Sequence, residues 1–336
     1  MKFFWILLLP SALAADSLPR IGSIDFYGIR KVPESHIQKA LGVSVGDSLP
    51  ASKGEVEERL EDVPGVVLAR LEAVCCDGDR SMLFVGIEER GAAHFELHTP
   101  PKTDVALPNE LSDRYEQLVA AIERAAQRGS TAEDLTHGHA LAADPDARAI
   151  QQDFVQLVPK NLLQIREVLR NSADPDQRAM AAGLIGYARK KETVVADLEY
   201  AMQDPDEGVR ASAMSSLGAI AVLARKQPDL GIHISPTWFV EMLNSVVLSD
   251  RVKAARALLN LTDSRPENTL DLLRERAMPS LSEMARWHSL NYALPAFMLL
   301  GRVGGLSDQE IQEQWTAGDR DQAVQEMLSS RKKKRR

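Results

Sequence analysis

The strongest constraint on this chain is a tripeptide that returns at a fixed distance. Asp144-Pro145-Asp146, Asp174-Pro175-Asp176 and Asp204-Pro205-Asp206 stand thirty residues apart each time. A repeat of that length marks one supersecondary unit that cannot bury its apolar face alone and must stack on its neighbours. Each copy opens an apolar stretch with helical spacing. Asp is a good helix N-cap and Pro fits the first helical turn, so each triplet reads as the turn between two helices.

The residues after the triplets repeat as well. Arg178-x-x-Ala181 leads to Gly186, and Arg210-x-x-Ala213 leads to Gly218, at the same internal offsets; Arg148 begins a diverged copy. Small residues on the inward face let two helices pack closely. The segments before the second and third triplets, 162–169 and 194–202, are themselves amphipathic, which gives a unit of helix, Asp-Pro turn, helix.

This pattern resembles the HEAT repeat, in the short bacterial form also seen in phycobilin lyase proteins, where Asp-x-x-x-Val-Arg-x-x-Ala-x-x-x-Leu-Gly marks the second helix. Asp206, Val209, Arg210, Ala213, Leu217 and Gly218 fall on it position by position. The resemblance implies that Asp206 and Arg210, like Asp174 and Arg178 at the same spacing, tie neighbouring repeats together. It also implies a right-handed α-solenoid of HEAT-like helical hairpins over residues 110–328.

Less regular helices flank the repeats. One is expected to begin near Glu110, with Tyr115, Leu118, Val119 and Ile122 as its apolar stripe. Thr131 and Asp134 then read as a capping pair for a further helix that contains His137-Gly138-His139. Two residues apart on a helix, those imidazoles point apart, so His137 and His139 are a possible contact site and not a shared metal site. Further helices are expected at 250–255 and 293–301, with a loop inserted at 231–236.

The N-terminal part has a different rhythm. A short strand at 21–27, helices at 33–41 and 52–60, and two β-rich runs at 66–75 and 82–87 separated by Asp77-Gly78 give the order strand, helix, helix, strand, strand, over residues 16–90. With Gly28-Ile29-Arg30, Gly46-Asp47 and Pro64-Gly65-Val66 at its turns, this order resembles a POTRA domain. That resemblance implies a small α+β module that binds polypeptides by adding a strand to an open sheet edge. Residues 91–109, with Pro100-Pro101 and Pro108, read as a linker. The overall class is mostly α. Adjacent Cys75 and Cys76 are expected as plain strand residues, one of them buried, without a disulfide framework.

At the start, Lys2, the apolar run 3–9 and Ala12-Leu13-Ala14 read as a secretory signal peptide, residues 1–15. The run is too short to span a bilayer, so the mature protein is expected to be exported, periplasmic or secreted, and not transmembrane. Charge is uneven. The chain carries a net charge of -8; setting aside the six basic residues at 331–336 leaves 34 Lys and Arg against 48 Asp and Glu, a net -14. An acidic body excludes a nucleic-acid platform on the main surface. The basic tail, 329–336, is expected to be disordered, with peripheral contact to anionic lipid as its possible role.

No Gly-rich phosphate loop, nucleophile elbow or zinc pair on one helix face is present. The expected class is therefore a non-catalytic, protein-binding scaffold or adaptor with no cofactor. An envelope or outer-membrane assembly factor is the first alternative, and a lyase-type enzyme of the phycobilin-lyase group the lesser one.

Overall fold

The computed structural model describes residues 19–77, 80–92 and 95–334. The expected leader and Gly78 of the predicted turn lie outside them. Among the described residues the chain is mostly helical, with fourteen α-helices, a three-stranded sheet at the N-terminus and one two-stranded hairpin.

The N-terminal order is β1 (Ile21–Tyr27), α1 (Glu34–Leu41), α2 (Lys53–Glu61), β2 (Val66–Asp77) and β3 (Arg80–Glu89). The sheet runs β1-β3-β2, with β1 parallel and β2 antiparallel to β3. Ala69, Leu71, Leu83, Val85 and Ile87 bury one face against Ile37, Leu41, Val56 and Leu60 of the two helices. A register shift between Ile21 and Ser23 switches the parity of β1. Ser23, Asp25 and Tyr27 are consequently buried on the other face, which is the expected effect of a bulge on an alternating strand. Cys75, expected as an ordinary thiol, is disulfide-bonded and exposed, toward the far end of β2 from the buried stretch at Ala69 and Leu71.

The second sheet face is not free. Tyr27 and Phe84 belong to the same apolar core as the helical repeats. Both meet the Trp287 ring edge-on, at 5.6 and 5.2 Å between centroids, and the Tyr27 hydroxyl donates to the Val246 carbonyl at 2.9 Å. Asp25 accepts from the His288 backbone N–H at 3.1 Å. The sheet is thus held between its own helices and the C-terminal half of the repeats.

The expected linker lies extended along the repeats. The His98 N–H donates to the Gln203 carbonyl at 2.8 Å, Thr103 exchanges backbone bonds with Asn171 and Ala173, and the Leu107 N–H donates to Gln177 Oε1 at 2.8 Å. The chain therefore leaves a sheet docked near residues 246–288 and runs back past the Asp-Pro turns to the start of the helical part.

There α3 (Asn109–Gln127) packs on α4 and α5, after which the short strands β4 (Glu133–Asp134) and β5 (Leu141–Ala142) form a hairpin. The remaining helices are α4 (Pro145–Asn171), α5 (Pro175–Ile185), α6 (Val195–Ala201), α7 (Glu207–Lys226), α8 (Thr237–Met242), α9 (Leu248–Leu261), α10 (Glu267–Arg276), α11 (Met278–Met284), α12 (Leu290–Gly304), α13 (Asp308–Thr316) and α14 (Arg320–Lys334). The second helices of successive hairpins form a layer in which α5 packs on α7, α7 on α9 and α9 on α12. The helix α14 runs on to Lys334, into the basic segment expected to be disordered.

Two expectations of local structure are corrected. The first thirty-residue interval holds a single helix of 27 residues, α4, with Pro159 inside it, whereas the second holds the α5–α6 hairpin. The segment at 131–142 is a hairpin and not a helix: Asp134 caps the turn itself, accepting from the Thr136 N–H at 2.9 Å, and Gly138 sits at φ +72°, a left-handed conformation outside any helix.

Candidate functional site

Each Asp-Pro turn is built around one arginine. Asp144, Asp174 and Asp206 are N-caps, accepting from backbone N–H groups two or three residues on. Four residues after its cap, Arg178 donates back to the Ser172 carbonyl at 2.9 Å, and Arg210 to the Asp204 carbonyl at 2.9 Å. Arg148 and Arg251 reach the carbonyls at the equivalent place, Ala142 and Ser245. A buried guanidinium needs more than carbonyls. Arg178 takes Asp204 of the next turn in a two-pronged pair at 2.8 and 2.8 Å, and Arg210 takes Asp250 at 3.2 and 2.9 Å.

The sequence placed the inter-repeat carboxylate at Asp174 and Asp206. They stay within their own turns as caps, and the partners across repeats are Asp204 and Asp250. From the second copy to the third the arginine, alanine and glycine recur at 32 residues while the triplet recurs at thirty, so the third triplet slides by two positions. Asp206, not Asp204, then stands at the cap, and Asp204 is free to face Arg178.

The ladder ends on the N-terminal domain. Arg251 is 1% exposed; its guanidinium lies 4.6 Å from the Tyr27 ring centroid and 3.4 Å from Glu283. Glu283 also accepts from the Gly28 N–H and pairs with Arg30. Burial pulls the Arg251 pKa down to about 9, against the opposing pull of Tyr27 and Asp250.

On the inner helices a groove of about 480 Å³ opens between α3, the β4–β5 hairpin, α7 and α9. Its size falls in the range of about 300–1,000 Å³ usual for ligand clefts. Gly183, Ser212, Ser215 and Gly218 line it, and nothing lies within 4 Å of where a Cβ on Gly218 would stand. Ala213, the other matched small residue, is fully buried in the helix packing. Tyr115, Ile122 and Tyr187 supply the apolar walls.

His139 lines this groove, while His137 is exposed beside it, with the rings stacked at 6.1 Å. Lys191 stands behind His139, 5% exposed, donating to the Gly186 carbonyl at 2.6 Å and to His139 Nδ1 at 3.1 Å. An ammonium can only donate, so it fixes the neutral imidazole with its proton on Nε2. Burial pulls Lys191 down to about 8. Burial first, and the Lys191 charge second, pull His139 down to about 4.

Lys253 and Arg256 of α9 line the far wall. Lys253 donates to Ser215 Oγ at 2.7 Å, and burial, followed by the Arg256 charge, lowers its pKa. Arg256 is exposed, its guanidinium 5.7 Å from the Tyr292 ring centroid. Glu133 stands at the solvent-open rim, yet the surrounding walls desolvate its carboxyl enough to raise its pKa, an effect Lys253 partly offsets. Among the described residues none of Lys191, Lys253 and Arg256 has a carboxylate at ion-pair distance.

His139 is the one groove residue in that set that sequence reasoning singles out as a contact. Lys191, Lys253, Arg256 and Tyr187 escape it, because nothing in their spacing separates them from solvated surface residues. Among the described residues no cluster of His, Cys, Asp and Glu forms a metal site, and no helix is long and apolar enough to cross a membrane.

Residues 162–230, which span α5, α6 and α7, match the family of HEAT repeats. No curated protein matches the sequence.

Proposed function

From HEAT repeats at 162–230 as the premise, we propose that this chain is an exported, non-catalytic protein-binding scaffold of a bacterial envelope, with a right-handed solenoid as its frame. The observation that carries this reading is the open groove on the second helices: small residues at its floor and tyrosines on its walls suit a polypeptide laid across α7 and α9. Export rests on Lys2, the apolar run and Ala12-Leu13-Ala14.

The groove's chemistry supports binding over catalysis. Ser215 and Lys253 are the nearest approach to a nucleophile with a base, but the Ser215 hydroxyl donates to the Ala211 carbonyl at 2.9 Å and receives from Lys253. The proton direction is the reverse of what activation needs. Both residues sit within helices, whose N–H groups are already bonded and form no oxyanion hole. The lyase alternative gains no residue set from this arrangement.

The POTRA-like reading of residues 16–90 is supported by the order and pairing of the strands. Strand addition at the edge of β2 is not favoured, because Glu61 accepts from the Ala69 N–H at 3.1 Å and Glu57 from the Leu71 N–H at 2.7 Å. Side chains of α2 thus cover the donors that a partner strand would use. We accordingly assign the domain to the scaffold's frame, ahead of an outer-membrane assembly role.

The test is cross-linking in cells from a photoreactive residue placed at Gly218 in the groove and, separately, at Ala73 on the β2 edge. A defined partner from Gly218 supports the scaffold reading. Adducts from Ala73 alone overturn it in favour of edge pairing, and loss of the exported pool when residues 2–9 are made polar checks the localisation.

A further inference from the structure

Two features of the groove stand apart from the rest of the molecule. The first is charge. Along the turn edge the buried arginines of the repeats have carboxylates, as in Arg178 with Asp204 and Arg210 with Asp250. In the groove, Lys253 and Arg256 line the wall and Lys191 stands behind it, against the single carboxylate of Glu133. This is a local excess of positive charge inside a body that is acidic overall. Beyond a Debye length of about 8 Å the acidic surface is screened, so a bound group responds to the groove's own charges.

The second feature is donor supply. Lys191 fixes the His139 tautomer, and the imidazole also engages the His137 backbone, so its donor is taken within the fold. The Lys253 ammonium has one partner, the Ser215 hydroxyl. An ammonium with three donors and one acceptor, in a recess walled by Tyr115, Tyr187 and Ile122, calls for an acceptor-only group joined to apolar neighbours.

We propose that the groove binds an extended peptide segment of a partner protein that carries a Glu or Asp side chain flanked by apolar residues, with the carboxylate received by Lys253 and Arg256. This deepens the scaffold reading and rests on it. The chain's own basic end, 331–336, has the wrong charge to be the occupant.

The test uses the full-length protein and fluorescence anisotropy with fluorescein-labelled octapeptide pools, fixed at one position as Glu, Gln or Lys and randomised over Leu, Phe, Ala and Ser elsewhere. The Glu pool is expected to bind at least about ten-fold tighter than the Gln pool at physiological salt, with the Lys pool weakest. Lys253→Met and Arg256→Met should each bring the Glu pool toward the Gln value, with helicity by circular dichroism unchanged. Arg256 is exposed, so its variant keeps the test readable if Lys253→Met fails to fold. Equal binding of the Glu and Gln pools, or a preference that survives both substitutions, overturns the inference while leaving a charge-blind scaffold. Free glutamate that displaces the Glu pool at equal concentration overturns the commitment to a peptide. Failure of every pool to bind overturns the groove-based scaffold reading as well.

Discussion

The turn edge and the groove are built from the same two helices, α7 and α9, and handle positive charge in opposite ways. At the turn edge Arg210 faces Asp250 at 2.9 Å, both buried, with the turn carbonyls taking the remaining donors. In the groove Lys253, three residues beyond Asp250, has a serine hydroxyl, and Arg256 stands over the Tyr292 ring. Charge that holds repeats together is neutralised within the fold. Charge left uncompensated in a recess is available to something outside it.

The comparison breaks most easily at the ladder. Arg210→Ala leaves Asp250 buried without its partner and should cost about 3–5 kcal/mol in chemical denaturation, whereas an apolar replacement of both members, Arg210→Met with Asp250→Leu, should recover most of it. A small loss from the single variant would place the ladder on a par with surface pairs. Arg251→Ala comes next, at about 1.5–3 kcal/mol. Because Arg251 touches Tyr27 and Glu283, this variant should also speed proteolysis in the segment 95–107, which ordinary repeat variants should not do.

The groove responds to pH. His139 has a folded pKa of about 4 against an ordinary 6.5, so the unfolded chain takes up this proton first. Its contribution to stability is fully present above about 6.5 and is lost as pH falls toward about 4. Lys191→Met should raise the His139 pKa in an NMR titration, yet leave it below 6.5, since burial is the larger cause. The smallest effect is expected at Lys253→Met: stability within about 0.5 kcal/mol of the parent, or higher, because a desolvated ammonium without a carboxylate adds little. A loss as large as that of Arg210→Ala would show Lys253 to be structural and dissolve the contrast.

Much of the ladder is legible in the sequence. An N-cap Asp, a Pro in the first turn and an Arg four residues on obey local rules, and local rules survive in a linear text. The partner does not. Asp206 reads as the inter-repeat residue because it matches a pattern; the 32-residue step of the arginines against the thirty-residue step of the triplets offsets the cap by two positions, and only the packing of α7 on α5 shows that Asp204 is the aspartate that faces Arg178. The His137-Gly138-His139 segment departs from expectation for a similar reason. Thr131 and Asp134 have the spacing of a cap, but Gly138 at φ +72° closes a hairpin that docks on α4, Lys191 and Leu223, contacts the local spacing does not record.

The sequence by itself determined that helical hairpins would stack, since no single hairpin can hide its apolar stripe, and that a small sheet domain would precede them. Tertiary structure alone decided that this domain folds back onto the C-terminal repeats, and that Lys191, Lys253 and Arg256 gather around one recess. Those outcomes depend on contacts between residues up to 263 positions apart, and spacing along a chain carries no record of which distant surfaces will meet.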